Sequence, residues 1–353
     1  MSSDAGQEFS RTDGDETQHE DNQQDEDFEF QKELADNYTI INFVEFRRLG
    51  DKSLWQRKEA DDPEILYQRM RYVAQNLHRV TKAFDFSKIP NQPAILDTCF
   101  APGGFVTFFL KEYPGARVKA MTLPIEQGGH RVLLSHDNLD IEYLDVTMLA
   151  GDMGVTEDDV PDSYPDKDAL IFHKTLSAED KFDLALCDGQ VLRTQSPSEW
   201  EEFSGVSPLA TSQFALSLEH LKPGGTMVIL LHRLEAWRTV KLLHTLRKFS
   251  LVQLYKYPYW SAVESSFYGV AKNVQSDGLL AAKAIADWKD DWKTFNLLTL
   301  GANANPNKEF PADNEDAQAV LKDFGEELVQ IGKIIWETQE EALHRAAEKA
   351  GQK

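Results

Sequence analysis

The stretch Ala94-Ile-Leu-Asp-Thr-Cys-Phe-Ala-Pro-Gly-Gly-Phe105 decides the fold of this chain. Its apolar start predicts a buried strand that ends at Asp97, and residues 98–104, the glycine loop, predict a tight turn. Apolar residues then recur at helical spacing from Phe105. A strand, a glycine turn and a helix start form a unit that holds a ligand, because glycine has no Cβ and lets the backbone come close to it.

The spacing of the glycines excludes two common nucleotide-binding loops. A dinucleotide fingerprint requires Gly-x-Gly-x-x-Gly and a P-loop requires Gly-Lys-Ser/Thr, and neither follows Asp97. The string Asp-x-Cys-x-Ala-Pro-Gly-Gly-Phe resembles instead the S-adenosylmethionine (SAM) loop of the FtsJ/RrmJ-like methyltransferases, which methylate ribose 2′-hydroxyls of RNA. An ordinary strand–turn–helix junction with packing glycines is the alternative. The resemblance implies that SAM is the cofactor and that its loop contacts are Asp97, Cys99, Ala101, Pro102, Gly103, Gly104 and Phe105.

Further apolar segments predict strands that alternate with helices. The helices are predicted to begin at Asp62-Pro63 and at Ser207-Pro208, where a capping residue precedes proline. This order predicts an α/β fold with a doubly wound, mostly parallel, seven-stranded Rossmann-like methyltransferase sheet, followed by C-terminal helices. Beyond the strand that ends at Asp97, the predicted strands are 116–123, 139–146, 181–189, 226–231, 250–257 and 265–271.

The ends of the second and third strands supply the other cofactor candidates. Many SAM-binding folds end the second strand with an acidic residue for the ribose hydroxyls, but this chain has Thr122 there, which offers a single hydroxyl contact. Asp145 follows the third strand, where SAM enzymes commonly place an Asp against the adenine amine, and a carboxylate accepts such a hydrogen bond. On its own, Asp145 is more typical of a turn or cap. The resemblance therefore adds Thr122, Asp145 and Val146 to the predicted cofactor site.

The resemblance assigns one residue, Asp188, to the family's catalytic Lys-Asp-Lys-Glu set. This residue ends the fourth strand, and in SAM-dependent transferases the same position also lines the methionine moiety, so Asp188 is predicted for both roles. The second Lys of the set falls on Leu230 when counted from the glycine pair before the fifth strand. The family string Arg-Ser-Ser-Glu aligns with Glu264-Ser-Ser-Phe267, so Phe267 takes the Glu position. The predicted tetrad is therefore degenerate.

Other polar residues are candidates for the missing roles. His232 follows the fifth strand directly and is a candidate general base. The first Lys of the set has no clear counterpart, and each substitute taken singly is more typical of a solvated helix face. These substitutes, on or just after the first predicted helix, are Arg69, Arg71, His78 and Lys82.

Charge and composition divide the chain into three parts. The net charge is −22 over 353 residues, and half of this excess lies in residues 1–36, which hold 13 acidic and 2 basic residues. We therefore predict a disordered acidic tail over 1–36, an FtsJ-like SAM-dependent methyltransferase domain over 37–275, and a helical C-terminal extension over 276–353. The acidic balance argues against a long nucleic-acid footprint, which needs Lys and Arg to neutralise phosphates.

The sequence also predicts where the protein works. Cys99 and Cys187 are the two cysteines, which form neither a disulfide framework nor a metal-ligand cluster. No apolar run reaches the length of a membrane span, and the acidic N-terminus does not resemble a signal peptide. We expect a cytoplasmic or nuclear protein that uses no metal and does not enter a membrane. The acidic tail and the C-terminal helices are candidate surfaces for a protein partner.

Three hypotheses on function follow. The first is an active SAM-dependent methyltransferase acting on oxygen, with RNA ribose as the acceptor that the resemblance implies. A small molecule such as a phenol is the alternative acceptor, because a more acidic hydroxyl needs less activation. The second is a catalytically degenerate SAM-binding partner subunit, favoured by Leu230 and Phe267. The third, an unrelated nucleotide-binding α/β protein, is disfavoured by the Ala-Pro-Gly-Gly match.

The surroundings of Asp188 discriminate between the two acceptors. A basic groove lined with aromatic side chains would favour RNA, because bases stack on aromatic rings. A closed pocket lined by Tyr257, Tyr259 and Trp260 would favour a small molecule.

Overall fold

The computed structural model describes residues 62–87, 92–189, 207–259, 261–299 and 317–351. The predicted acidic tail and Trp260 lie outside these ranges. The strands are β1 (Ala94–Asp97), β2 (Arg117–Thr122), β3 (Leu139–Tyr143), β4 (Phe182–Cys187), β5 (Leu221–His232), β6 (Leu251–Tyr255) and β7 (Ser266–Val274). The α-helices are α1 (Pro63–Thr81), α2 (Gly104–Glu112), α3 (Pro208–His220), α4 (Trp237–Arg247), α5 (Leu279–Lys293) and α6 (Ala317–Gly351).

The seven strands form one sheet in the order β3-β2-β1-β4-β5-β7-β6. Pairs from β3 through β5 are parallel, and β7 runs antiparallel to both of its neighbours. The predicted doubly wound, mostly parallel sheet is thereby confirmed. The strand order changes direction between β1 and β4, and open α/β sheets bind ligands at such a switch point. Asp97, which ends β1, and Asp188, which directly follows β4, therefore flank the expected ligand position.

One strand start differs from the prediction. The fifth strand is predicted to begin at residue 226, but helix α3 ends at His220 and β5 begins directly after it at Leu221. Leu221 pairs with Phe182 of β4, and the register shifts before Leu184 pairs with Thr226. Gly224 has a φ of +84°, which glycine adopts without strain, so the strand continues through this irregularity instead of starting after it.

Helix α1 is fixed against the start of α2. Its cap is the predicted one, since the Asp62 carboxylate accepts a hydrogen bond from the Glu64 backbone at 2.9 Å and proline follows the cap. A Cβ on Gly104 would lie 2.6 Å from Met70 Cβ, closer than real contacts allow. Only glycine permits this approach, and α1 is thereby placed directly beside the glycine loop.

The two C-terminal helices pack on the domain, as predicted. Helix α6 buries Phe324 and Leu328, and its Asp323 accepts a hydrogen bond from His244 of α4 at 2.9 Å. Helix α5 packs against α3 and is followed by a π-helical turn, Thr294–Thr299. Within the described ranges, no helix is both long and apolar enough to cross a bilayer.

Candidate cofactor and active site

The glycine loop is held between β2 and β4. The Thr98 backbone and hydroxyl both donate to Leu186 O of β4, at 3.2 and 3.0 Å, and the Phe100 backbone donates to Met121 O of β2 at 2.9 Å. Gly103 has a φ of +100°, and a Cβ there would lie 2.8 Å from Phe100 Cζ. Position 103 therefore requires glycine for two reasons: its φ lies in the left-handed region, and a side chain there would have no room.

The loops after β1 and β4 meet at a second glycine. A Cβ on Gly189 would collide with the Cys99 Sγ and would lie 2.9 Å from Cys99 Cβ. The Gly189 backbone donates to Gln213 Oε1 at 3.0 Å, and the same oxygen accepts from the Thr98 hydroxyl at 3.3 Å. Gln213 of α3 thus joins the two loops, so that Asp97 and Asp188 stay close together.

Asp97 and Asp188 form the acid pair at the centre of the site. Asp97 is 1% exposed, and its Oδ1 accepts from the Cys99 backbone at 3.1 Å. Asp188 Oδ1 is buried and has no hydrogen-bond partner within the described part of the chain. Burial raises the pKa of Asp188 to about 7, and burial together with the Asp188 charge holds the pKa of Asp97 well above its usual range. The site therefore disfavours two negative charges until a cation arrives.

These features fit SAM, the cofactor that the sequence resemblance implies. A cation beside the acid pair would satisfy the orphaned Asp188 oxygen and offset the cost of ionising both carboxyls. The residues that would hold SAM are thus the acid pair and Gly103 at the methionine end, with the buried Thr122 next along the sheet edge.

Asp145 lies on the adenine side of the predicted site. Its Oδ1 caps a short 3₁₀ turn, Val146–Met148, by accepting from the Thr147 backbone and hydroxyl at 2.8 and 2.7 Å. Burial chiefly raises the pKa of Cys99, and the charges of Asp188, Asp97 and Asp145 add to this rise. Asp145 therefore shares the Cys99 neighbourhood with the acid pair, and it is a turn cap as well as a cofactor candidate.

The His232 imidazole lies among cations. Burial chiefly, together with the charges of Arg238 and Lys256, lowers its pKa to about 4. A base of this strength takes up few protons at neutral pH, which weakens the predicted role as a general base. Sequence reasoning missed Lys256, whose ammonium donates to Glu264 O at 2.6 Å and Ser266 O at 2.7 Å. Its position between two tyrosines at a strand end was the available signal.

The two positions that the resemblance assigns to the second Lys and the Glu of the tetrad lie on different faces of the sheet. Leu230 pairs across the ladder with Tyr268, whose ring centroid is 5.5 Å from that of Phe105 after the glycine loop. Phe267 is 1% exposed and packs in the core with Leu231. Since successive residues of a strand point to opposite faces, position 267 does not present its side chain beside Tyr268.

Tyr268 is a second residue that sequence reasoning missed. Burial holds the pKa of its hydroxyl well above the usual range, and the Asp188 charge contributes to this shift. The hydroxyl therefore stays neutral and is a hydrogen-bond donor near the acid pair. Only the β5–β7 register reveals this placement, because Tyr268 and Asp188 are 80 positions apart in the sequence.

The substitutes proposed for the first Lys are spread along and after α1. Arg71 donates to Gln68 Oε1 at 2.9 Å and lies over the Tyr67 ring. His78 Nδ1 accepts from the Phe84 backbone at 3.2 Å, and the two rings are stacked. Lys82 ends the helix in the left-handed region with a φ of +59°. These contacts give Arg71, His78 and Lys82 structural roles, while Arg69 lies on the side of α1 that carries Tyr72.

Five tyrosines form a continuous group, the tyrosine surface, from the acid pair to solvent. Tyr255 and Tyr268 are cross-strand neighbours, and the rings of Tyr257 and Tyr259 are 5.2 Å apart. Burial raises the pKa of Tyr257, and the nearby hydroxyls of Tyr259 and Tyr72 add to this rise. Tyr259 is 67% exposed and Tyr72 is 56% exposed. Of the two described residues that would line a closed pocket, Tyr257 is buried and Tyr259 is open to solvent.

Comparison with known proteins gives one family. The sequence pattern of the FtsJ-like methyltransferases matches residues 74–274, which include both members of the acid pair. No curated protein matches the chain. Within the described residues, no group of three His, Cys, Asp or Glu is arranged to hold a metal ion.

Solved structures resemble the chain at low identity. A Plasmodium falciparum protein described provisionally as a ribosomal RNA methyltransferase is 16% identical and has a TM-score of 0.38, covering 59% of this chain and 97% of its own. The human methyltransferase-like protein 13 in complex with S-adenosylhomocysteine (SAH) is 11% identical with a TM-score of 0.34, covering 66% and 91%. The N-methyltransferase NodS from Bradyrhizobium japonicum WM9 in complex with SAH is 13% identical with a TM-score of 0.35, covering 65% and 97%.

Proposed function

Because the chain belongs to the FtsJ-like methyltransferases, it is a SAM-dependent methyltransferase, and we propose that its acceptor is the 2′-hydroxyl of an RNA ribose. The bound cofactor supplies an activated methyl group that passes from sulfur to the acceptor oxygen. The protein has to orient the acceptor and take up its proton. The proposed residues for both tasks lie at the carboxyl edge of the sheet.

The tyrosine surface is the observation that supports RNA. It begins at Tyr268 beside the acid pair and opens to solvent at Tyr72 and Tyr259. Exposed aromatic rings stack on unpaired bases, and each such contact contributes about 1–3 kcal/mol. Arg69 and Arg79 lie on the same helix as Tyr72 and bring positive charge to this region. A few nucleotides of single-stranded RNA suit this surface and the acidic balance of the chain.

Asp188 is the proposed proton acceptor. Its carboxyl is ionised in part near neutral pH, since burial raises its pKa to about 7. A ribose hydroxyl that lies against this carboxylate would transfer its proton as the new carbon–oxygen bond forms. The neutral Tyr268 hydroxyl is placed to hold the carboxylate or the acceptor by donating a hydrogen bond. Asp188 thereby activates the ribose hydroxyl, a task that the apolar Leu230 at the position of the second Lys cannot perform.

This assignment predicts the pH dependence of the reaction. The active form of Asp188 is the ionised one, so kcat/KM for SAM should fall about tenfold per pH unit below the pKa and level off above it. With a pKa of about 7, the bend should lie near neutrality. Initial rates between about pH 5.5 and 9 test this expectation. A profile that is flat through neutrality would show that another group accepts the proton.

The acceptor is tested directly by transfer of a labelled methyl group to RNA oligonucleotides and to the same sequences with 2′-deoxyribose. We expect label only in RNA, recovered as 2′-O-methyl nucleosides after digestion. Label in small phenols but not in RNA would identify the alternative acceptor. SAM binding without transfer to any acceptor would support the partner-subunit hypothesis instead.

The contribution of the tyrosine surface is tested with Tyr72→Ala. Loss of one stacking contact should raise KM for RNA about tenfold, with little change in the Kd for SAM. Tyr143→Ala is the matched control, because Tyr143 is equally exposed at 56% but lies on β3 at the opposite edge of the sheet. An equal effect of the two substitutions would contradict RNA binding across Tyr72.

A further inference from the structure

Helix α5 reaches the adenine side of the site through Trp292. This side chain is 0% exposed, and its Nε1 donates to the Thr147 carbonyl oxygen at 3.0 Å. Thr147 in turn donates from its backbone and its hydroxyl to Asp145 Oδ1. Two consecutive hydrogen-bond links therefore run from α5 to the Asp145 carboxylate. The indole of Trp292 fixes the Thr147 turn, and this turn fixes the carboxylate.

The segment after Asp145 is packed onto Trp292. Met148 O accepts from the Ile171 backbone at 2.8 Å, and a Cβ on Gly151 would lie 2.6 Å from the Phe172 carbonyl carbon. This close packing leaves the Thr147 turn little room to shift. The buried apolar residues that surround Trp292 in this layer include Met153, Val155, Leu170 and Ala215.

We infer that Trp292 is a positioning residue for the adenine end of the cofactor site. The inference rests on the proposed function, through the assignment of Asp145 to the adenine amine. Because Thr147 occupies Asp145 Oδ1, the second oxygen, Oδ2, is the one left to accept from that amine. A carboxylate with one oxygen tied to a rigid turn keeps its other oxygen in a fixed direction, which lowers the ordering cost of binding.

This role gives α5 a part in cofactor binding although it lies beyond the family pattern. The pattern ends at residue 274, whereas Trp292 lies 18 positions later. The smallest unit that binds SAM at full affinity must therefore include α5. Other chains with the same family pattern and no equivalent of this helix need a different support for their adenine-side carboxylate.

The experiment measures cofactor affinity by calorimetry in full-length Trp292→Phe. Phenylalanine keeps an aromatic ring in the core and removes the N–H donor. We expect the Kd values of SAM and of adenosine to rise by the same factor, about five- to tenfold, because both ligands contain adenine and one hydrogen-bond link is lost. Trp288→Phe, one turn earlier on α5, is the control and should stay within about twofold. A Trp292→Phe protein that binds both ligands like the wild type overturns the inference.

A double-mutant cycle separates positioning from general destabilisation. If Trp292 acts through Asp145, then Trp292→Phe should have no further effect on the Kd for SAM in an Asp145→Ala background. An undiminished loss in that background would overturn the inference. Unchanged affinity in Asp145→Ala alone would instead refute the adenine role of Asp145, on which the inference rests.

A second variant leaves the core intact. Thr147→Val removes the hydroxyl bond to Asp145 and keeps the backbone bond. It should weaken SAM binding about threefold even if Trp292→Phe does not fold. Wild-type affinity in Thr147→Val would overturn the inference independently of the tryptophan.

Discussion

Methyl transfer by the Asp188→Asn variant is expected to be about three orders of magnitude slower than in the wild type, because the amide cannot accept the ribose proton. SAM binding should weaken by a smaller factor, since Asp97 and the glycine loop remain. Rates at saturating SAM, together with the Kd for SAM, separate the two effects. Wild-type turnover in this variant would show that Asp188 is not the proton acceptor.

The same variant should be more stable than the wild type in alkaline solution. The folded-state pKa of Asp188 is raised to about 7 from an ordinary value of 3.8. The stability present when the carboxyl is protonated is thus lost as the pH rises from about 4 through about 7. Asparagine carries no charge to bury, so the thermal midpoint of the variant should exceed that of the wild type at about pH 8 and match it near pH 4. Equal midpoints at both pH values would contradict the raised pKa.

Asp183→Asn is the matched control. Asp183 lies near the start of β4, whereas Asp188 directly follows its end. The Asp183 carboxylate accepts from Lys222 Nζ and from the Ala94 backbone, both at 2.8 Å. Its loss should lower stability because a buried, paired carboxylate is removed from its partners. Activity should be retained at temperatures where the protein is folded. The two Asp→Asn variants are therefore expected to change stability and activity in opposite ways.

Replacement of Gly103 by Arg should abolish detectable SAM binding, with a loss of at least about 100-fold in affinity. The φ of +100° strains any side-chain-bearing residue, and a Cβ would lie 2.8 Å from Phe100 Cζ and 3.1 Å from Leu134 Cβ. The long side chain would also crowd the loop that is predicted to hold the methionine moiety. Calorimetric titration with SAM, next to a thermal melt, measures both consequences.

Gly154→Arg provides the control for backbone strain. Gly154 has a φ of +75°, but a Cβ there meets nothing within 4 Å. Both variants thus carry the cost of a left-handed residue, about 1–2 kcal/mol, and only Gly103→Arg obstructs the glycine loop. Unimpaired SAM binding in Gly103→Arg would remove the loop from the cofactor site.

The fold was predictable because its signals are local. Each signal spans only a few residues: the apolar run before Asp97, the glycines after it and the helix start at Asp62-Pro63. The alternating order of strands and helices then predicts the fold class. The start of β5 was mispredicted because the Lys222–Gly225 run has the composition of a turn. There, the ladder with β4 outweighed the local preference of the glycines.

Site residues that belong to a contiguous family motif were predictable from the sequence. Residues that reach the site only through strand pairing or helix packing were not. Asp188 and the glycine loop come from contiguous motifs. Tyr268 reaches the acid pair through the pairing of β5 with β7, and Trp292 reaches Asp145 from a helix far along the chain. The residues next to Tyr268 and Trp292 in the sequence do not indicate either placement. The limits of the predicted domains and the cellular location stay predictions.

In the proposed site, the acid pair would also distinguish the methyl donor from the spent product. SAM carries a positive sulfur and SAH a neutral one, so a doubly ionised pair attracts the donor more strongly than the product. Transfer of the methyl group removes the charge that kept both carboxyls ionised, and the proton that Asp188 accepts from the ribose hydroxyl in the same step removes one negative charge from the pair. Under the proposed arrangement, product release is coupled to a proton, and the fresh donor gains a growing competitive advantage over the product as the medium becomes more alkaline.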